Sequence, residues 1–170
     1  MPKTVALVIA ARLFRDEEYQ VPKEILEQAG VQVVTVCTTL TEATGKLGLK
    51  VKPEKLLEEL EVAQTDALIF IGGGGSEQYF NDPVAHQLAR DFAGQGKIIG
   101  AICIAPVVLA NTGLLRGKKA TVYPDGQNDL EENGAIYTGN PVEVDGKLIT
   151  GNGPEAAVEF GEGILKLLEI

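Results

Sequence analysis

Short apolar runs alternate along the chain with stretches whose apolar residues recur at helical spacing. TVALVIAA (residues 4–11), VQVVTVCTT (31–39), DALIFI (66–71) and KIIGAICI (97–104) have strand length and are rich in β-branched residues. Such runs predict strands buried on both faces. DEEYQVPKEILEQAG (16–30) places Val21, Ile25 and Leu26 on one helical face, with Gly30 as its stop. NDPVAHQLARDFAGQG (81–96) predicts an amphipathic helix capped by Asn81 or Asp82, with Pro83 in its first turn and Gly94 or Gly96 at its end. APVVLANTGLL (105–115) and PEAAVEFGEGILKLLEI (154–170) predict two more helices. KKATVYP (118–124) predicts a fifth, short strand, and DLEENGAIYTG (129–139) a turn and an edge strand. PVEVDGKLITGNG (141–153) predicts a hairpin turning at Asp145-Gly146. GKLGLKVKP (45–53) reads weakly as a strand or hairpin, and EKLLEELEV (54–62) as a short helix or irregular acidic segment.

Strands alternating with helices imply one α/β domain over residues 1–170, with a largely parallel sheet covered on both faces. Such sheets bind ligands beyond the carboxyl ends of their strands. That places three loops at the expected site: Arg12 to Glu18, Gly72 to Glu77, and Cys103 to Pro106.

Composition narrows the partners. The formal net charge of -9 argues against a nucleic-acid backbone or an anionic membrane surface. No apolar run approaches the ~20 residues of a membrane span, and the N-terminal stretch is followed directly by acids, unlike a signal peptide. A cytoplasmic location is the default expectation. Two cysteines and one histidine cannot build a four-ligand zinc site of the usual kind, so no metal is expected. A Cys37–Cys103 disulfide is not expected in a reducing compartment.

Cys103 sits in AICIA, with alanines two residues before and two after it. A nucleophile elbow needs that spacing, because larger side chains there would collide at the tight strand-to-helix turn. A helix starting near Ala105 would turn its amides toward the thiol and favour thiolate. The amide of Ile104 would then face the reacting centre as an oxyanion donor. The alternative is core filler, since free cysteines are commonly buried. Cys37 lacks the spacing and reads as core. The glycine run GGGGSE (72–77) has neither a dinucleotide fingerprint nor a phosphate-loop lysine. It reads as a flexible turn or as the second half of an oxyanion hole. Asp16, Glu17 and Glu18 read as a solvated helix start, unless one lies against a thiolate. A carboxyl sharing a dry pocket with another acid has its pKa raised, stays protonated, and can donate to sulfur or relay a proton. His86 lies inside a predicted helix and reads as an ordinary helix residue.

Taken together, the chain resembles the ThiJ/PfpI superfamily, which includes intracellular peptidases and a deglycase branch. The resemblance rests on VALVIA, EYQVP, DALIFIGGGGSE, AICIAPVVLANTGLLRGKKATVYP and GNGPEAAVEFG, and covers nearly the whole length. It implies a three-layer sandwich around a flavodoxin-like, mostly parallel sheet, as in class I glutamine amidotransferases. It implies that Cys103 is the reactive cysteine and Glu18 its acid partner, with Glu17 as fallback. Gly73 and Ile104 match the oxyanion-hole amides, and Glu77 an acid that in some members reaches a neighbouring subunit's site. Two departures stand out. Peptidase-like members often carry histidine where Ile104 stands, and the deglycase branch often carries one where Tyr123 stands.

The first function expected is therefore cofactor-free glyoxalase- or deglycase-type chemistry on small reactive carbonyls or their adducts, using Cys103 and Glu18. The second is an oxidative-stress sensor or chaperone without turnover, because a thiolate oxidises readily. The third is a PfpI-like cysteine peptidase active as an oligomer. The resemblance implies a homodimer or homohexamer.

Overall fold

The computed structural model describes all 170 residues. The chain runs β1 (Thr4–Val8), β2 (Arg12–Phe14), α1 (Asp16–Gln28), β3 (Gln32–Cys37), β4 (Ala43–Gly45), β5 (Lys50–Val51), β6 (Lys55–Leu56) and β7 (Ala67–Phe70). It continues through α2 (Pro83–Gly94), β8 (Ile98–Ile102), α3 (Pro106–Thr112), β9 (Lys119–Ala120), α4 (Gln127–Glu132), β10 (Ile136–Tyr137), β11 (Val142–Asp145), β12 (Leu148–Gly151) and α5 (Ala157–Leu167). A seven-stranded sheet in the order β11-β12-β8-β7-β1-β3-β6 forms the middle layer. All its pairings are parallel except the edge hairpin β11–β12. The expected mostly parallel α/β sheet is therefore the one observed. No helix is long and apolar enough to cross a membrane.

The four apolar runs form the centre of the sheet because both faces are covered. Every residue of β7 and β8 is buried, as are Val5 to Val8 of β1. Helix α1 packs on α5 over one face, while α2 and α3 lie together over the other. Asp82 caps α2 by accepting from the Ala85 amide at 3.3 Å, and Pro83 takes the first helical position. The hairpin turn falls at Asp145-Gly146 as expected, and its second strand joins the sheet interior beside β8.

Of the two readings of residues 54–62, the irregular segment is the one found: a two-residue edge strand and tight 3-10 turns, in which Leu57 and Leu60 bury without a full helical face. Two elements differ from expectation. The KKATVYP segment does not enter the main sheet. Its β9 pairs only with β10, in a separate two-stranded ribbon, because β12 already occupies the edge of β8. DLEENG carries the helix α4, which buries a single leucine, Leu130, too little apolar surface for the sequence pattern to announce.

A third sheet, β2-β4-β5, sits beside the carboxyl ends of β1 and β7. Asp16, the first residue of α1, holds its turn. One carboxylate oxygen accepts from the Leu47 amide at 2.9 Å and the other from the Leu49 amide at 2.8 Å. Hydrogen bonds to a charged partner are stronger than neutral ones. Asp16→Ala should cost about 2 kcal/mol of stability in urea denaturation and loosen the 45–49 turn in hydrogen exchange. An unchanged midpoint would show that the turn holds without the carboxylate.

Candidate active site

Cys103 occupies a left-handed backbone conformation, φ 65°, which few side chains tolerate. Hydrogen bonds on either side pin it there. Its amide donates to the Gly151 carbonyl at 2.9 Å, and its carbonyl accepts from the Tyr123 amide at 2.7 Å. Ala101 and Ala105 are fully buried two residues away on either side, as the elbow spacing requires. The helix that follows starts at Pro106, one residue later than expected, and has only 7 residues.

The backbone amides of Gly73 and Ile104 lie close enough to the Cys103 sulfur to favour its charged form. Gly73 adopts φ 100°, open in practice to glycine alone. Gly72 is required for a different reason. A Cβ there would lie 2.5 Å from the Cys103 Cβ and 2.6 Å from Glu18 Oε1, inside the space where the two side chains meet.

The three acids after β2 take three different partners. Asp16 holds the 45–49 turn. Glu17 faces outward and binds Arg15 through two hydrogen bonds, 2.9 and 3.0 Å. Glu18 is wholly buried, and neither of its carboxyl oxygens has a partner of hydrogen-bonding geometry. It faces the Cys103 thiol, beside the Gly72 amide. Of the two acids weighed for the cysteine, the structure brings Glu18 to the sulfur and turns Glu17 away.

Burial pushes the Glu18 carboxyl up to about 7, against the weaker pulls of the thiol, Arg15 and the Gly72 amide. Burial, reinforced by the charge of Glu18, pushes the Cys103 thiol up to about 12. The Gly73 and Ile104 amides lower it only in part. This corrects the expectation of a thiol depressed by its helix: in so dry a site, desolvation outweighs two amides and a two-turn helix. Both directions have burial as their largest cause, and contact between the two groups splits them further, lowering the carboxyl and raising the thiol, so that both cannot readily ionise. The pair gives up its first proton near 7 and keeps its second until about 12.

Above the pair opens a pocket of about 560 Å³. Tyr123 lines it, 42 % exposed, where the deglycase branch often carries histidine. Glu77 is exposed on the turn after the glycine run and does not line the pocket. His86 stays in α2, its ring nitrogen 2.7 Å from the Phe80 carbonyl oxygen. Cys37 is a free, fully buried thiol, and Cys103 is free as well. No cluster of three or more histidine, cysteine or acidic side chains is arranged to hold a metal ion. Sequence reasoning missed Lys46, Asp125 and the 152–155 loop, all of which reach the pocket. The loop was within reach of the strand-end rule, because it leaves the carboxyl end of β12.

The DJ-1/PfpI family profile matches residues 3–167. The chain belongs to the DJ-1/PfpI family. Among similar proteins, MJ0967 of Methanocaldococcus jannaschii is 41% identical over 97% of this chain and 82% of its own. The Bacillus subtilis protein YraA, named as a candidate cysteine protease, is 34% identical over 99% of this chain and all of its own. Deglycase PH1704 of Pyrococcus horikoshii is 29% identical over 96% and 98%. The crystal structure of a ThiJ/PfpI domain protein from Brachyspira murdochii superposes with a TM-score of 0.96 at 28% identity, over 99% of this chain and 98% of that one. The names of these relatives attach more than one activity to the family.

Holding Glu18 in place has a stability cost that depends on pH. Its folded pKa lies above the ordinary 4.5, so the ionisation-linked part of the cost is absent below that pH. As pH rises to 7 the unfolded chain releases the proton and the folded chain holds it, and stability falls by about 3 kcal/mol. Glu18→Gln should therefore be more stable than the parent at pH 8 by up to about 3 kcal/mol, a gap that closes by pH 4. Urea denaturation across that range measures it, and a gap independent of pH would contradict the assignment.

Proposed function

We propose that this DJ-1/PfpI protein performs cofactor-free glyoxalase- or deglycase-type chemistry on small reactive carbonyls and their amine adducts. The observation that carries the reading is the Cys103–Glu18 pair. A thiol on a strained turn faces a buried carboxyl that has no other partner, beneath an open pocket.

On an α-oxoaldehyde such as methylglyoxal, Cys103 adds to the aldehyde carbon, forming the C–S bond while its proton passes to Glu18. The Gly73 and Ile104 amides stabilise the oxygen that becomes negative. Glu18 returns the thiol proton to that oxygen, and as a carboxylate again it takes the proton from the former aldehyde carbon and delivers it to the neighbouring ketone carbon, while the hydroxyl proton passes to the former ketone oxygen. The first carbon is oxidised to a thioester and the second reduced to an alcohol, so no external oxidant or reductant enters. Water cleaves the thioester, releases lactate and restores the thiol. On an amine adduct the same attack breaks the C–N bond, and the amine leaves with the electron pair and a proton.

A carboxyl that releases its proton near 7 suits both halves of that relay, because it is neither always charged nor always neutral at working pH. The pocket holds no histidine, which weighs against a peptidase. A thiol held up by burial oxidises slowly on its own, which weighs against a dedicated sensor.

Lactate formation from methylglyoxal tests the proposal. Cys103→Ala should abolish it, and Glu18→Gln should lower kcat by about 10²–10⁴-fold, the usual worth of a positioned acid–base group. Equal rates in all three proteins would remove the reading.

A further inference from the structure

The charged residues that line the pocket over Cys103 are sorted by sign. Strand β8, which ends at the cysteine, lies between β12 and β7. On the side of β7 and β1 the pocket is lined by Arg15 and Lys46. On the side of β12 it is lined by Asp125 and Glu155. Each pair is anchored by backbone that the fold holds in place. The Arg15 amide donates to the Gly72 carbonyl at 2.9 Å, and the Lys46 amide donates to the Phe14 carbonyl at 2.9 Å, on the turn held by Asp16. Asp125 follows Tyr123, whose amide is bonded to the Cys103 carbonyl, and Glu155 leaves the strand whose Gly151 carbonyl accepts from the Cys103 amide. Arg15 is paired directly with Glu17, whose charge Lys46 also feels, while Lys46 itself makes no ion pair.

We infer that this pocket orients its occupant by charge, with an anionic group on the Arg15–Lys46 wall, a cationic amine on the Asp125–Glu155 wall, and the reacting carbon over Cys103. The substrate class that fits is an amine adduct of an oxo acid, whose carbinol carbon carries a carboxylate on one side and a protonated amine on the other. This assignment rests on the proposed function for the identity of the reacting carbon. The sorting of charge can be tested without turnover.

The test is alkylation of Cys103, followed by mass spectrometry, with three small reagents at low salt: iodoacetate, iodoacetamide and 2-bromoethylamine. Rates are divided by that of neutral iodoacetamide, which corrects for any change in the thiol or the fold. Lys46→Gln should lower the relative iodoacetate rate by about 3–10-fold, the worth of one solvent-screened charge near the reacting atom. The double variant Asp125→Asn, Glu155→Gln should lower the relative bromoethylamine rate and raise that of iodoacetate by similar factors. Relative rates unchanged within about twofold would overturn the inference. A protein that sorts the reagents but turns over no carbonyl would retain the sorted pocket and lose the proposed function. One that forms lactate without sorting the reagents would do the reverse.

Discussion

Two acids in contact in a dry site can hold only one negative charge between them, and the chemistry proposed for this protein hangs on that constraint. Glu18 and Cys103 meet at the floor of the pocket, the carboxyl wholly buried and the thiol nearly so, where neither carboxyl oxygen finds another partner. Burial alone would leave both groups neutral and inert. Contact between them lets one proton leave near 7 and keeps the other shared until about 12. The rest of the site serves the contact: Gly72 clears the space, Gly73 and Ile104 bring their amides close to the sulfur, and the strained turn at Cys103 lifts the thiol into the pocket.

The cost of this arrangement is distributed over the fold. The left-handed turn at Cys103 is tied to β12 through Gly151 and to the segment before α4 through Tyr123, so neighbouring elements hold the strain. Glu18 belongs to the first turn of α1, and α1 is fixed by packing on α5 and by the Asp16 bonds to the 45–49 turn. Three consecutive acids thus take three different places: one orders a turn, one pairs with an arginine, and one is buried against Cys103.

Much of this was legible in the sequence. Apolar runs without a polar face marked the central strands, and small residues at 101 and 105 marked the elbow, because both are steric requirements that leave a residue pattern. The resemblance put Glu18 ahead of Glu17, but only packing shows why: one position along a helix turns a side chain from the interior to the surface. The pKa of the thiol was misjudged because helix amides are visible in a sequence and the depth of burial is not. Lys46 and Asp125 escaped notice because their loops are distant in the chain and meet only once the sheet order is known. The two-residue strands β9 and β10 carry too few side chains to show any period.

The central claim is that Cys103 and Glu18 titrate as one pair. The pH dependence of Cys103 alkylation by iodoacetamide, in the parent and in Glu18→Gln, tests it most directly. The parent rate should rise through an inflection near 7, as Glu18 ionises and can draw on the thiol proton, and rise again only toward about 12. Glu18→Gln should lose that inflection and show a single thiol titration above 7 and below 12, since the like charge that held the thiol up is gone. One unchanged inflection in both proteins would contradict the account.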